Sequence, residues 1–333
     1  MIYLPSRLAG RVASGFARKR TLAVVLGLLC AAPVAAEETP VVTRQARPLR
    51  LGIAAAARPN DAIDRMEPFR LRLSETLGVE VRTRRFADER SLVDALAAGK
   101  IDYAPLSASG YAMTHRLCGC VEPLAAPRAA DGSTGWRIVV VVPTGSPIEK
   151  LSGLTGRRLG LAGAEAIGGH RLALRLIEQQ EAKAPPKPLL ETFEGPRAAV
   201  RAMLDGRVDA AVAWSTLEGD VAEGYGRGTL RDMVAAGELA MTDVRVAWAS
   251  GVLPHGPHVV RTDLAEGPKR RLRDMLVDLD EVDPDAYDAI EPVLTGGFLR
   301  IGHSAYVPFV DLVTPRVMPA EPGTTGSTTA PPG

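Results

Sequence analysis

The sequence lacks several features by which large classes of protein are identified. Aromatic residues make up only 5% of it, while alanine, glycine and leucine are abundant, a composition typical of helix-rich α/β proteins. The phosphate loop of nucleotide-binding proteins, the G-x-S-x-G and H-E-x-x-H motifs of hydrolases, and acid pairs at informative spacing are all absent. The glycine pattern Gly160–Gly163 is too short for a dinucleotide site. We therefore expect neither an enzyme nor a bound cofactor or metal.

The start of the chain contains no acidic residue and predicts an export signal. Five basic residues precede the apolar run Leu22–Ala32, and small residues follow at Pro33–Ala36. The run is too short to span a bilayer comfortably and no later stretch is long enough, although an uncleaved membrane anchor is the alternative. Cys30 follows residues too bulky for lipid attachment. We predict that residues 1–36 are a cleaved signal peptide, which implies a periplasmic protein.

The charge and the far end of the chain limit its partners and its folded length. Without the signal peptide, 35 Lys and Arg residues face 39 Asp and Glu residues, a net charge of about −4, which argues against nucleic acid as a partner. Residues 319–333 are almost entirely Pro, Gly, Thr and Ser and cannot bury enough surface to offset the entropy of ordering. We predict a disordered tail over 317–333 and about 280 residues of folded protein.

Apolar patterns along the rest of the chain predict strands that alternate with helices, and hence parallel sheets. The segment Trp136–Val142 is almost continuously apolar, as in a strand covered on both faces. The other predicted strands are Leu49–Ala55, Val79–Thr83, Ile101–Leu106, Arg158–Leu161, Leu189–Phe193, Asp209–Trp214 and Val244–Ala249. The predicted helices are Met66–Leu77, Leu92–Ala98, His170–Gln180, Pro196–Asp205, Asp263–Leu279 and Tyr287–Leu294.

Two segments of the chain resemble each other, and we call them the first and second repeat segments. They are Ala95–Ala104 and Ala202–Ala211, about 107 residues apart. In each, a helix ends at a glycine, and a basic residue, an apolar residue, an aspartate and a buried strand follow. Small polar residues come next: Ser107 and Ser109 after the first segment, Ser215 and Thr216 after the second.

The spacing of the repeat segments corresponds to one small α/β lobe. Open α/β sheets bind ligands at the carboxyl ends of their strands. Two lobes that each place polar residues at those ends would form a cleft. The alternative is that helix–glycine–strand is a generic α/β pattern, since glycine is common at helix ends.

With these features the sequence resembles the type II periplasmic binding proteins, and more narrowly the phosphate, phosphite and phosphonate-binding (PhnD-like) proteins of ABC importers. The resemblance extends over about Leu49 to Val313, and the order of its motifs carries it. The matching segments are Ala95–Leu106 with Tyr111, Leu151–Arg157, Ala198–Val200 through Gly206–Ala211, and Gly297–Phe298 with Tyr306.

This resemblance implies two α/β lobes, each a mostly parallel sheet flanked by helices, joined by two crossing strands near Trp136–Val142 and Val244–Ala249. The lobes would close on the ligand by a hinge motion, and the closed form would dock on a membrane permease. The implied division is lobe 1 at 48–140 and 246–316, and lobe 2 at 141–245.

The chain departs from the family at the anion-binding turn. Family members carry a Ser/Thr-rich turn after the strand corresponding to Arg158–Leu161, whereas this chain has no hydroxyl between Gly163 and His170. The helix start that remains still favours an anion, although Glu165 would repel one. A histidine usual at the next helix is replaced by Pro196 and Arg197, and the guanidinium could grip an oxyanion.

The residues predicted to line the cleft follow from the repeats and the resemblance. Each has a structural alternative: a serine that only caps a helix, a tyrosine packed on its own helix, a tryptophan that closes the core, or a surface histidine or arginine. The predicted ligand-binding residues are Ser107, Ser109, Tyr111, Gly168, Gly169, His170, Arg197, Trp214 and Ser215.

Two cysteines remain after the signal peptide, Cys118 and Cys120, with Gly119 between them. In an oxidising compartment they can pair, and such a small ring is readily reduced. Inert thiols are one alternative, and a soft-metal site that includes Met113 and His115 is another.

The function expected from these features is capture of a small polar solute, an oxyanion such as a phosphonate, phosphite or phosphate, for an ABC importer. The partners would be the ligand and, transiently, the inner-membrane permease, and we expect a monomer. The alternative is a ligand-sensing accessory protein of the same fold that signals to a membrane partner. An exported enzyme on this fold is a third alternative, and no nucleophile–base or metal pattern supports it.

Overall fold

The computed structural model of the chain describes residues 47–54, 62–163, 167–180 and 187–314. The predicted signal peptide, the predicted tail and Glu165 lie outside these residues. Within the described ranges, no helix is long and apolar enough to cross a membrane.

Helices and strands alternate over much of the chain, as the sequence predicts. The strands are β1 Leu49–Ala54, β2 Val81–Phe86, β3 Tyr103–Pro105, β4 Val121–Pro127, β5 Gly135–Pro143, β6 Arg158–Ala162, β7 Leu189–Phe193, β8 Ala210–Ser215, β9 Val244–Ala249, β10 Leu253–Pro254, β11 His258–Arg261 and β12 Phe298–Arg300. The helices are α1 Ala62–Arg65, α2 Glu67–Leu77, α3 Glu89–Ala97, α4 Ala108–Cys118, α5 Ala173–Gln180, α6 Pro196–Leu204, α7 Thr229–Ala235, α8 Glu266–Val277, α9 Leu279–Val282, α10 Pro284–Ile290 and α11 Val307–Val313. A π-helical turn, Ile167–Leu172, leads into α5, and 3₁₀ turns lie at Leu151–Leu154 and His303–Tyr306.

The first sheet has the strand order β12-β4-β11-β3-β1-β2. β1 is parallel to both β2 and β3, while β11 and β12 pair antiparallel to their neighbours. Buried side chains such as Leu51, Phe69 and Leu73 pack between this sheet and helices α2 and α8. The apolar spacing on α2 therefore has the core-facing role that the sequence predicts.

The second sheet has the order β10-β5-β8-β6-β7, and β9 also pairs with β5. β6 is parallel to β7 and β8, whereas β5 is antiparallel to β8, β9 and β10. The α/β fold class with two sheets is thus confirmed. The parallel strands are β2, β1 and β3 in the first sheet and β7, β6 and β8 in the second. The remaining strands pair antiparallel to their neighbours, so both sheets are mixed.

The two repeat segments share one hydrogen-bond pattern. The backbone N–H and Nε of Arg50 donate to Asp102 Oδ2 at 2.9 and 2.8 Å, and Nη2 donates to Oδ1 at 2.6 Å. In the second lobe, the N–H of Arg158 donates to Asp209 Oδ2 at 2.8 Å and Nη2 donates to Oδ1 at 3.2 Å. Each aspartate thus ties the start of β3 or β8 to the start of the parallel strand beside it, β1 or β6.

The glycine of each repeat segment is required by the backbone. Gly99 and Gly206 have φ of +68° and +75°, a conformation that other residues adopt at a cost. The helix can therefore end and the chain can turn back into the sheet within five residues, 98–102 in the first segment and 205–209 in the second. This is the physical reason for the glycine that the sequence pattern shows.

The chain leaves the first sheet after β4, forms the second sheet, and returns to the first sheet at β11. We call residues 128–134 the outward crossing and residues 255–257 the return crossing. β5 and β9, which the resemblance places at the crossing, pair with each other inside the second sheet. Residues 128–134 and 255–257 connect the two sheets, while Val139 and Val141 of β5 and Val244 of β9 lie in the core of the second sheet. The lobe limits predicted at 140/141 and 245/246 stay predictions.

Candidate functional site

The end of the first repeat segment lies against the return crossing. The N–H of Leu106 donates to Pro257 O at 3.0 Å. A methyl group added at Gly256 would lie 2.9 Å from Cα of Ser107. The polar residues after β3 therefore adjoin the segment that joins the two sheets, as a cleft between lobes requires.

Ser107 begins α4 and is already engaged by another side chain of the chain. Its Oγ accepts the N–H of Gly110 at 2.9 Å, the capping interaction that the alternative predicted. Its own N–H and Oγ donate to the carboxylate of Glu89 at 2.5 and 2.7 Å. An internal carboxylate thus occupies the start of α4, where an anion is favoured. Ser109 lies in the first turn of the same helix and is half-buried.

Tyr111 lies in the core. Its ring is fully buried, its centroid lies 5.0 Å from that of Tyr306, and its hydroxyl is 2.7 Å from Nδ1 of His303. Burial raises the pKa of the Tyr111 hydroxyl to about 12. This placement agrees with the packing alternative, and a ligand contact at the hydroxyl would require His303 to give way.

The end of the second repeat segment brings aromatic and hydroxyl groups together. Trp214 is half-buried and meets Trp136 edge to face at 6.5 Å between ring centroids. Ser215 is fully buried, and its Oγ accepts the N–H of Leu217 at 3.1 Å. The Ser215 hydroxyl therefore shapes the turn after β8.

Arg227, which the sequence analysis missed, is anchored at this turn. Its N–H donates to Thr216 Oγ1 at 3.3 Å, and its carbonyl accepts the N–H of Thr216 at 3.1 Å. A methyl group at the preceding residue, Gly226, would lie 2.5 Å from Oδ2 of Asp131, so this loop contacts the outward crossing. Within the described part of the chain, the guanidinium of Arg227 makes no hydrogen bond or ion pair of its own.

The charge of Arg227 acts on groups from both crossings and from lobe 1. Burial, and next the charge of Arg227, lower the pKa of His255 in the return crossing to about 4. Burial by itself would raise the pKa of Asp131, but hydrogen bonds from Ser133 and the charge of Arg227 lower it. Burial raises the pKa of Glu291, against the effect of Arg227.

His255 offers a second group to a ligand. Its Nε2 is buried and has no hydrogen-bond partner among the described residues, a state that costs free energy unless a partner arrives. Because its pKa is about 4, the ring is neutral at neutral pH. With the proton on Nε2, the ring would donate to an oxygen that Arg227 attracts. A guanidinium and an imidazole N–H are together suited to an oxyanion.

The loop that carries Arg227 holds a strained backbone. Leu217 and Tyr225 have φ of +56° and +72°, unlike the other non-glycine residues that the structure describes. Such conformations persist where the surrounding structure enforces them, and they cluster at binding sites. The sequence signal that could have located this site is the arginine enclosed by glycines at 224–228.

Arg197 is paired within the chain. Its Nε donates to Oε2 of Glu238 at 2.8 Å and its Nη2 bonds Oε1, while Arg201 bonds the same carboxylate at 2.6 Å. Hydrogen bonds from both arginines lower the pKa of Glu238 to about 2. An oxyanion at Arg197 would have to compete with this carboxylate, and the ligand-binding role of Arg197 stays a prediction.

The residues of the altered turn lie at the second-lobe helix start. Gly168 and Gly169 belong to the π-helical turn, and Nδ1 of His170 lies 2.9 Å from the carbonyl of Ala162. Because a carbonyl can only accept, Nδ1 carries the proton and a neutral ring leaves a lone pair on Nε2. The Nδ1–H of His170 is therefore engaged by the backbone and is not available to an oxyanion.

Cys118 and Cys120 form a disulfide. The soft-metal alternative requires thiolates, which a disulfide does not provide. In the described part of the chain, no group of three or more His, Cys, Asp or Glu side chains is placed to hold a metal ion.

Comparisons with solved structures show which folds this chain shares. XAC2383 from Xanthomonas citri, solved with ATP, is 18% identical over 79% of this chain and 94% of its own, with a TM-score of 0.53. PhnD1 from Prochlorococcus marinus, solved with methylphosphonate, is 17% identical over 79% of this chain and 96% of its own, with a TM-score of 0.45. Transferrin 1 from Manduca sexta is 12% identical over 79% of this chain and 45% of its own, with a TM-score of 0.52. For the two structures with TM-scores above 0.5, the likeness at these identities concerns the fold alone, and one fold serves several functions.

The family itself is identified from the sequence profile. The profile described as "ABC transporter, phosphonate, periplasmic substrate-binding protein" matches residues 51–306, which include both sheets and the candidate site. Members of this family are periplasmic and bind solutes for transport. The chain therefore belongs to the periplasmic substrate-binding proteins of ABC phosphonate transporters.

Proposed function

We propose that this protein captures a small oxyanion, a phosphonate or an anion of related shape, between its two lobes and delivers it to an ABC permease. The observation that carries the proposal is the guanidinium of Arg227, held at the end of β8 without a hydrogen-bond partner among the described residues. An arginine so placed can grip a tetrahedral oxyanion with two parallel N–H groups.

The surroundings of Arg227 support an anionic ligand that reaches both lobes. The backbone beside it contacts Asp131 of the outward crossing, and its charge acts on His255 of the return crossing. His255 leads, through Gly256, to Ser107 at the end of the first repeat segment. A ligand on Arg227 would therefore bear on the segments that must bend when the lobes close.

The bulk of the ligand can be accommodated by the aromatic pair. Trp136 and Trp214 are half-buried and lie on adjacent strands, and Trp214 stands two residues before Thr216, which anchors Arg227. An alkyl or aminoalkyl substituent would gain contact with these rings, whereas a bare inorganic anion would not. This geometry favours an organic phosphonate or sulfonate over phosphate.

Ligand screening with matched arginine variants tests the proposal. Methylphosphonate, phosphite, phosphate, alkyl sulfonates and ATP would be added to the wild type and to Arg227→Gln in thermal-shift assays, followed by calorimetry. At 100 times Kd, one of these anions should raise the melting temperature by about 5 °C. Arg227→Gln should weaken that binding at least about tenfold.

Arg82→Gln is the matched control, because it removes the same charge from an exposed pair with Glu80, and its affinity should stay within about twofold of the wild type. Arg197→Gln tests the arginine that the sequence favoured. The proposal fails if no anion shifts the melting temperature. The assignment to Arg227 fails if Arg197→Gln weakens binding and Arg227→Gln does not.

A further inference from the structure

The disulfide between Cys118 and Cys120 joins the end of α4 to the residue before β4. Cys118 is the last residue of the helix and is exposed, while Cys120 is half-buried. The turn between them is held by the backbone, since the N–H of Gly119 donates to His115 O at 2.7 Å and the N–H of Thr262 donates to Cys120 O at 2.9 Å. Cys118 is thus the more exposed cysteine of the pair, and Cys120 is the one that packs against the protein.

A fixed cation lies beside the inner sulfur. Nη1 of Arg261 is 3.2 Å from Sγ of Cys120 and also donates to Leu96 O at 2.9 Å. Nε and Nη2 of the same arginine lie 3.2 to 3.3 Å from the carboxylate of Asp263. The Arg261 side chain is only 16% exposed, so the guanidinium cannot easily turn away from the sulfur.

The two sulfurs therefore differ in how well each supports a negative charge. Cys118 ends a helix, where the macrodipole disfavours an anion. Cys120 has a guanidinium within hydrogen-bond distance, which favours the thiolate. In thiol–disulfide exchange the sulfur that leaves as the more stable thiolate leaves faster. Attack at exposed Cys118, with Cys120 as the leaving group, is thus favoured by both access and charge.

We propose that Cys118–Cys120 is a redox-active disulfide that exchanges with the dithiol of another protein. A thiolate of that dithiol forms a bond to Sγ of Cys118 while the Cys118–Cys120 bond breaks, and Cys120 leaves with the electron pair as a thiolate beside Arg261. The second thiol of the donor loses its proton and attacks its own sulfur in the mixed disulfide. Cys118 then leaves as a thiolate and takes up that proton. The donor is oxidised to a disulfide, and this protein is reduced to a dithiol.

The difference between the two sulfurs can be tested in single-cysteine variants of the protein without residues 1–36, which contain Cys30. In Cys118→Ser, the rate at which iodoacetamide modifies Cys120 would be followed against pH. The thiolate fraction at pH 7 should fall about tenfold when Arg261→Gln is added. Arg116→Gln removes a charge from the exposed face of α4 instead and should change that fraction less than twofold. Arg261→Lys keeps a charge near the sulfur and should restore part of the fraction.

The site of attack is tested by trapping. Cys120→Ser retains the exposed sulfur and should form a stable mixed disulfide with glutathione, which mass spectrometry would detect. In the wild type, increasing concentrations of reduced glutathione should yield the dithiol, and Arg261→Gln should require about tenfold more for half reduction. An alkylation profile of Cys120 unchanged by Arg261→Gln, or equal trapping in Cys118→Ser and Cys120→Ser, would overturn the proposal. So would a wild-type disulfide that resists reduction as fully as that of the Arg261→Gln variant.

Discussion

The two repeat segments share a frame but end in different chemistry. Asp102 and Asp209 each clamp the arginine that starts the neighbouring strand. After the first segment, Ser107 begins a helix and is bonded by the carboxylate of Glu89. After the second, the chain enters a glycine-rich loop that holds the guanidinium of Arg227, which has no hydrogen bond or ion pair among the described residues. The same frame thus ends at a serine that is already hydrogen-bonded by Glu89 in the first lobe, and beside the guanidinium of Arg227 in the second.

This difference shows where a repeat in sequence stops being informative. The glycine and the aspartate keep their roles because the turn and the clamp are properties of the backbone. The residues beyond the strand can diverge, because neither that turn nor that clamp involves them. The binding specificity of this protein is therefore expected to depend on the second lobe more than on the first.

The largest expected effect concerns the clamps. Asp102→Ala should lower the free energy of unfolding by about 2–3 kcal/mol, because it leaves Arg50 and a backbone N–H without partners in a mostly buried setting. Asp209→Ala should cost clearly less, because the Arg158 and Asp209 side chains are 43% and 30% exposed. Urea denaturation of both variants would measure this. Equal losses would contradict the difference in burial.

A smaller effect is expected from the neutral imidazole beside Arg227. The folded-state pKa of His255, about 4, lies below the ordinary value of 6.5. Between these values the unfolded chain takes up a proton that the folded protein does not, so stability falls as pH drops from 6.5 to 4. His255→Gln should lose less stability over this window than the wild type, by about 1 kcal/mol after solvent screening.

Urea midpoints at pH 7 and pH 4.5 would measure this difference. His170→Gln is the control, because it removes an imidazole from the second lobe far from the return crossing along the chain. If His255→Gln and the wild type show parallel pH dependence, His255 is not held neutral by its surroundings.

The smallest expected effect concerns the contact between Glu89 and Ser107 at the start of α4. Glu89→Gln removes the negative charge from the start of α4, and should lower the free energy of unfolding by about 1 kcal/mol. Glu75→Gln, on the exposed face of α2, should change it by less than half as much. If the Glu89 contact also excludes anions, Glu89→Gln should admit a weak second anion in calorimetry. No loss of stability would show that the contact contributes nothing.

Much of the frame could be predicted because it depends on local pattern. The strands Leu189–Phe193 and Val244–Ala249 have the predicted bounds, and α2 begins one residue after its predicted start. β4 escaped prediction because Pro123 and Pro127 interrupt its apolar run, and proline opposes a strand. The helix predicted at Tyr287–Leu294 ends at Ile290, because the carboxylate of the next residue, Glu291, accepts the N–H of Leu294.

The candidate site was less predictable because it assembles residues far apart in sequence. Arg197 occupies the position that the family suggests, yet Glu238, about forty residues later, pairs with it. Arg227 and His255 come together only because the return crossing follows the second sheet. The periodicity of the sequence does not indicate such a long-range contact. By contrast, the aspartate shared by the two repeat segments indicates that Asp102 has a structural role.

The position of β11 has a consequence for how the chain acquires its structure. β11 lies between β3 and β4 in the first sheet, and pairs His258 with Pro105. The second sheet needs only residues from β5 to β10, whereas the first cannot join its two halves until β11 has emerged. Contacts between such distant residues close a long loop and slow folding. During synthesis, the second lobe is therefore expected to fold first. The first lobe is expected to complete its sheet only when the C-terminal part of the chain has been synthesised.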